Sequence, residues 1–270
     1  VSHALTIGPL LLPYSLLVVF AAVAASVLVG KALAKRAGIE AEGVLWRTLF
    51  VALLAARLAF VFEYRVLYFA SPLSILDIRD GGWNPAVGLV AAWLYALHRQ
   101  RRAPILARPL RWAVATGTTL FVIGSALLVL RPGTTGEALP HVSFESIEGE
   151  AVALERFVGQ PIVVNLWATW CPPCVREMPV LQQAQSVRRD VHFVFLNQGE
   201  SRAVVGAWLQ RQGLALRNVL IDEPRQASAV FRQQGYPTTL FFDAQGRLVS
   251  RRLGELSAAT LAEKLDQISK

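Results

Sequence analysis

The sequence predicts a two-part chain: an all-α half of about four membrane-spanning helices, then an α/β half in which strands and helices alternate. Three observations carry this. The 270-residue chain is 54% hydrophobic with a mean hydropathy of +0.42, too apolar for an ordinary soluble domain. Its apolar runs of helical length all precede residue 131. Its net charge of +8 sits in the same half, with 13 Lys and Arg against 5 Asp and Glu before residue 134 and 14 of each from there on. A basic surplus on a globular surface suggests nucleic acid. One lodged between apolar runs is topological, and no nucleic-acid partner is expected.

The apolar stretches run about 5–33, 44–69, 83–97 and 112–130. A crossing helix needs ~20 mostly apolar residues. The first, second and fourth stretches reach that; the third is short and opens on Trp83-Asn84-Pro85. Residues 1–13 carry no Lys or Arg, so the first stretch is expected to stay as a span and not to be cleaved as a signal peptide. The first connection holds Lys31, Lys35 and Arg36, with Arg47 just beyond. The third holds Arg99, Arg101, Arg102, Arg108 and Arg111, and the second, near Asp77, Arg79 and Asp80, is balanced. Positive loops stay cytoplasmic. Four spans then put the N-terminus, the second connection and everything after Arg131 outside, which for a bacterial inner membrane is the periplasm. Arg57 lies deep in the second stretch, with Glu63 later in it. An intramembrane ionisable residue is a functional candidate by default; a helix-packing ion pair or snorkelling is the weightier reading here.

"RPGTTGEALP" (131–140) is Pro/Gly/Thr-rich and ends the fourth stretch. The expected partition is a transmembrane domain over 1–131, a linker over 132–140 and an α/β domain over 141–270. In the latter, "HVSFESIEGEAVAL" is a hairpin-like pair turning at Glu148-Gly149, and "PIVVNLW" is a strand buried on both faces. A helix runs from the cysteines to about Arg188, "VHFVFLN" is another buried strand, and "SRAVVGAWLQRQG" is a helix with a Ser cap and a Gly stop. "NVLI" is a short strand, "QASAVFRQQG" a helix, and "TTLFFDAQGRLVSRRLG" a hairpin turning at Ala244-Gln245-Gly246. "SAATLAEKLDQI" is a last helix capped by Ser257.

Cys171 and Cys174 are the only cysteines. A C-x-x-C at a strand-to-helix turn is redox chemistry: helix N-terminal N–H groups and the helix dipole favour a thiolate, the form that attacks and leaves. Cys171, opening the helix and expected to be the exposed one, is the nucleophile; Cys174, one turn in, resolves the mixed disulfide. Pro172 and Pro173 lack N–H groups that early helical positions do not need. The alternatives are zinc and a static disulfide. Structural zinc needs four ligands, and His3, His98, His141 and His192 show no paired spacing; neither metal nor cofactor is expected.

The motifs "VVNLWATWCPPCVREMP", "FLNQGESRAVVGAWLQRQG" and "GYPTTLFFDAQGRLV" resemble the TlpA/ResA/DsbE family of membrane-anchored periplasmic thioredoxins, across about 140–268. The resemblance implies a thioredoxin-like fold and makes Pro237 the cis-proline facing the cysteines. It implies that Trp170, Pro172, Tyr236 and Thr238 form the substrate-binding surface. It also makes Glu177 an acid that handles the active-site proton. Its helical spacing alone allows that or a surface charge. Asn165 stands where ordinary thioredoxin has a buried Asp, and an amide cannot take the proton of Cys174. The implied activity is reduction of periplasmic protein disulfides, in apocytochrome c, a copper-site protein or a disulfide isomerase. The membrane half has no cysteine to relay electrons, so a separate transmembrane donor is implied.

"IGPLLLPYSLL", "AARLAFVFEYRVLYFASPLSIL" and "DIRDGGWNPAVGL" resemble the amino-terminal part of prolipoprotein diacylglyceryl transferase, over about 7–107. Tyr14 and Arg57 fall on family positions. The family's catalytic His follows the position of Gly81-Gly82, where this chain reads Trp83-Asn84-Pro85-Ala86-Val87-Gly88. Its later Gly-Arg-x-Gly-Asn signature is missing from "GTTLFVIGSALLVL". The expectation is a degenerate scaffold kept as a membrane anchor or docking surface. The rival functions are a transferase-like enzyme and a non-catalytic docking module regulated by its cysteines.

Overall fold

The structure is a computed structural model that describes residues 4–7, 10–70, 72–77, 80–130, 136–233 and 235–269. His3, Arg79, Arg131 and the expected linker residues 132–135 lie outside the described residues. The chain divides into two compact units, Leu12–Leu130 and Arg131–Lys270 together with Val1–Leu11.

The first apolar stretch is not one helix. Strands β1 (Ala4–Ile7) and β2 (Leu10–Pro13) pair, and α1 (Tyr14–Arg36) starts only after Pro13, whose backbone is extended. A proline inside a helix removes a donor and clashes with the preceding turn, so this one marks the boundary. The second stretch breaks at Tyr64 into α2 (Glu42–Glu63) and α3 (Arg65–Ala70). A 3-10 turn (Pro72–Leu76) leads to α4 (Pro85–Arg102), and a second one (Pro104–Leu106) to α5 (Ala107–Val129). Asn84 caps α4 by accepting the Val87 N–H at 3.1 Å. Among the described residues, three helical segments are long and apolar enough to cross a membrane: α1, α2 and Pro104–Val129. With 18 residues, α4 spans about 27 Å and carries Arg99, Arg101 and Arg102 in its last turn, so the count of four spans is approximate.

Helix α1 packs along α5, α2 along α4, and α4 against α5. A Cβ at Gly88 of α4 would meet the Ala52 carbonyl and the Ala56 methyl of α2 at 3.0 Å. This is the close approach that small residues permit between membrane helices. Arg57 is buried, and its ion-pair partner is not Glu63 but Asp80, at 3.0 Å. The same guanidinium donates to the carbonyls of Ser74, Ile75, Asp77 and Gly82, while Asp80 accepts the Tyr68 hydroxyl at 2.7 Å and the Gly82 N–H at 3.0 Å. Arg57 therefore clasps the connection between α2 and α4 onto α2.

In the second unit, β3 (Ser143–Ser146), β4 (Ala151–Ala153), β5 (Ile162–Trp167), β6 (His192–Gln198), β7 (Val219–Asp222), β8 (Thr238–Phe242) and β9 (Leu248–Leu253) form one sheet. The order is β4-β3-β7-β6-β5-β8-β9; β5, β6 and β7 run parallel and the flanking pairs are antiparallel. Alternation along the central strands feeds two cores. Val163, Trp167, Phe193 and Phe195 pack with residues of α6 (Pro172–Val187), α7 (Arg202–Gln212) and α9 (Ala258–Ile268). Ile162, Val164, Leu166, Val194 and Leu196 pack on the other side with Leu154, Phe157 and α8 (Gln226–Val230). Every residue of β5 is buried, as a strand covered on both faces must be.

Caps follow the sequence with two differences. Ser257 forms a capping box with Thr260 at α9, and Gly213 closes α7 in the left-handed conformation at φ 64°. Ser201 stands at the N-cap of α7 without a side-chain cap bond. Helix α8 is shorter than expected because Arg232 adopts φ 49° just after it, which ends a helix.

Candidate active site

The cysteine pair sits where β5 runs into α6. Residues 168–170 turn the chain, Cys171 takes the N-cap with an extended backbone, and Pro172 and Pro173 open the helix. Their missing N–H groups have no acceptor inside a helix at those positions. Cys171 and Cys174 are joined by a disulfide. The Cys174 N–H points at the Cys171 sulfur, 3.4 Å away. On reduction that donor and the helix N-terminus stabilise a thiolate at Cys171. The expected exposure of Cys171 is nearly absent: it is 4% exposed and Cys174 is 0%, because both pack with Trp167, Ala168 and Met178.

Glu177 is not a surface charge. One helical turn beyond Cys174 it is wholly buried. The Asn165 amide of β5 donates to Glu177 Oε1 at 2.7 Å, and the Leu256 N–H donates to Oε2 at 3.0 Å. Burial pushes this carboxyl up to about 8, against the pull of those two hydrogen bonds; Glu255 adds to the rise and Arg252 opposes it. Asn165 spends its second amide hydrogen on Thr239 Oγ1 at 3.0 Å, and its buried Oδ1 has no partner among the described residues. Burial thus favours the protonated form of this acid near pH 7 in the disulfide state.

Across the sheet, β8 pairs antiparallel with β5 so that Thr238 lies opposite Leu166 and Thr239 opposite Asn165. The Tyr236–Pro237 peptide bond just before β8 is cis. Trp170, 56% exposed, meets the half-buried Tyr236 ring edge-on at 5.8 Å. Pro172 is exposed beside them in sequence, but Thr238 is buried and its hydroxyl donates to the Gly235 carbonyl at 2.6 Å. Of the four residues expected to meet substrate, Trp170, Pro172 and Tyr236 present surface and Thr238 does not. Among the described residues no three His, Cys, Asp or Glu side chains converge as a metal site requires.

Sequence reasoning missed Glu200. Its carboxylate accepts the Thr169 N–H at 2.7 Å, the Thr169 hydroxyl, and the Asn197 amide at 2.8 Å. It therefore fixes the turn that delivers Cys171. Nothing local marks it, since the contact joins residues 31 apart in the chain.

Residues 134–266 match the model of the Redoxin family. The thioredoxin-like protein YneN of Bacillus subtilis is 30% identical over 135 residues, covering 48% of this chain and 78% of that protein. The chain belongs to the thioredoxin-like family. The thiol-disulfide oxidoreductase ResA of Halalkalibacterium halodurans is similar too, 27% identical over 49% of this chain and 76% of its own length. A solved structure of a DsbE-type thiol:disulfide interchange protein from Chlorobium tepidum aligns with 50% of this chain and 98% of its own, at 20% identity and a TM-score of 0.47. The activity class is thiol-disulfide oxidoreduction. Residues 2–128 match the model of prolipoprotein diacylglyceryl transferase, so the thioredoxin-like half is joined to a transferase-like membrane half.

Proposed function

We propose that this protein is a membrane-anchored reductase of protein disulfides, working on the periplasmic side of a bacterial inner membrane. The observation that carries the reading is the Cys171–Cys174 pair at the start of α6 with Glu177 buried one turn behind it. In the reduced protein, the Cys171 thiolate attacks one sulfur of a substrate disulfide. A mixed disulfide forms and the first substrate thiolate leaves. The ionised fraction of Glu177, the minor form near neutral pH, takes the proton of Cys174 as Cys174 attacks the Cys171 sulfur. The Cys171–Cys174 disulfide closes, the second substrate thiolate leaves, and Glu177 and water return protons to the two substrate thiolates. The net transfer is two electrons to substrate.

Trp170, Pro172, Tyr236 and the Pro237 loop are the docking surface in this reading. The exposed Trp170 and the half-buried Tyr236 form an aromatic wall suited to an extended segment around a substrate disulfide. Candidate substrates are apocytochrome c, a copper-site protein or a disulfide isomerase. Residues 1–170 contain no cysteine, so a separate transmembrane donor must return the electrons.

The orientation rests on basic loops and on α4 counted as a crossing. Its support is the packing of α4 on α2 and α5 and a buried face of Gly88, Ala92 and Ala96. Acyl transfer by the membrane half lacks support: Trp83–Gly88 offers no His, and the Arg57 guanidinium is engaged by protein groups. The test is the reduction potential of the full-length protein in detergent. A value near thioredoxin's ~−270 mV supports a reductase; one near DsbA's ~−120 mV would make it an oxidase.

A further inference from the structure

The connection between β9 and α9 touches both halves of the site. The Gly254 N–H donates to the Pro237 carbonyl at 2.9 Å. The Leu256 N–H donates to Glu177 Oε2 at 3.0 Å. Between them, Glu255 accepts Nε and Nη2 of Arg176 at 3.0 and 2.6 Å. Gly254 takes φ +99°, a conformation that side chains rarely adopt, so the segment turns at a residue suited to place its N–H on the proline loop. The tether to α6 is anchored at the residue adjacent to the buried acid. None of these three contacts is local: Arg176 and Glu255 lie 79 residues apart, as do Glu177 and Leu256.

We propose that Arg176 and Glu255 are a positioning pair that keeps residues 254–256 seated, so that the buried acid and the cis-proline loop are held by one segment. The proposal deepens the reductase reading and rests on Glu177 as the proton acceptor for Cys174. Its consequence is that the proton affinity of Glu177 depends on a partly exposed ion pair that touches neither sulfur. Release of the segment removes a hydrogen bond that favours the carboxylate, and the same movement frees the Pro237 carbonyl.

Charge and seating make different predictions. The charged and titratable groups around Glu177 are Cys174 and Arg176 on α6, Glu255 on the connection and Arg252 on β9, with the neutral Asn165 on β5. If the pair acted only as two charges, Arg176→Gln would leave Glu255 unneutralised and raise the proton affinity of Glu177. Glu255→Gln would remove a negative neighbour and lower it. If the pair seats the segment, both variants weaken the Leu256 N–H contact and both raise it.

The experiment follows the Glu177 carboxyl by its protonated C=O infrared band in the oxidised full-length protein in detergent, assigned by its loss in Glu177→Gln. Thiol alkylation against pH is read on the reduced protein alongside. Arg176→Gln and Glu255→Gln are each expected to move the carboxyl titration upward by roughly 0.2–0.7 pH unit, the size an exposed pair transmits. The charge-swapped Arg176→Glu/Glu255→Arg protein is expected to move back toward wild type. A downward or absent shift in Glu255→Gln overturns the positioning pair. A carboxyl that shifts upward in both variants while alkylation stays put supports the pair and removes Glu177 from the proton path, so the two readings fail separately.

Discussion

Replacing Glu177 by Gln tests the central acid through stability. Its folded carboxyl lies at about 8, against 4.5 when unperturbed. Between those pH values the folded state keeps a proton that the unfolded chain has released. A group whose proton affinity rises on folding contributes stability that is full below its unfolded pKa and is lost as pH climbs through the folded one. Each pH unit in that window removes about 1.4 kcal/mol, so wild type loses roughly 4–5 kcal/mol across it. Gln does not titrate, so this slope vanishes. Its amide does bring a second donor toward either Asn165 or the Leu256 N–H, at a cost of about 1–3 kcal/mol at every pH. The variant is therefore the weaker protein in acid and the stronger one above about pH 7, with curves crossing near ~pH 6. Urea midpoints of the oxidised full-length protein, read by pulse proteolysis of the carboxy-terminal half from pH 4.5 to 8.5, measure this directly. Parallel curves for variant and wild type would refute the reasoning, because they would mean that the two hydrogen bonds outweigh burial and that Glu177 is already charged when folded.

Cys171→Ser is expected to abolish insulin reduction, while Cys174→Ser accumulates mixed disulfides with substrate; the reverse pattern on non-reducing gels would reassign the nucleophile. A membrane-impermeant maleimide should label reduced Cys171 in intact spheroplasts, and labelling only after lysis would place the domain in the cytoplasm. Arg57→Met should destabilise the membrane half by about 3–5 kcal/mol, since it removes the cation that pairs with the buried Asp80. Thermal unfolding in detergent reads that loss, and insulin reduction per folded molecule should stay at the wild-type level. A large loss of specific activity would give Arg57 a role in the redox cycle.

Much of this protein is written locally. The unbroken apolar run of β5, the C-x-x-C at its end, the two prolines that open α6 and the Ser257 cap each depend on residues within one strand or one helical turn. Those patterns place the cysteine pair at a helix start and fix what it can do. The hydropathy of the first 130 residues likewise marks a membrane half. Its helix limits depend on single residues, such as Pro13 and Tyr64, that a hydropathy run passes over.

The environment of the site was decided elsewhere. Helical spacing sets Glu177 near Cys174, but whether that face meets water depends on the β9–α9 connection, which arrives 79 residues later and donates the Leu256 N–H. Burial, not spacing, turns an ordinary carboxyl into one that holds its proton near neutral pH. Arg57 reads as an intramembrane charge with Glu63 as its neighbour in sequence; the fold gives it Asp80, 23 residues away, and a ring of carbonyls. Glu200 gives no signal of its own because Thr169 approaches it only once β5 and β6 are paired. Local sequence sets the backbone that a residue adopts. The dielectric around a side chain, and the partner it meets there, belong to contacts between distant segments, and these exist only when the chain has folded.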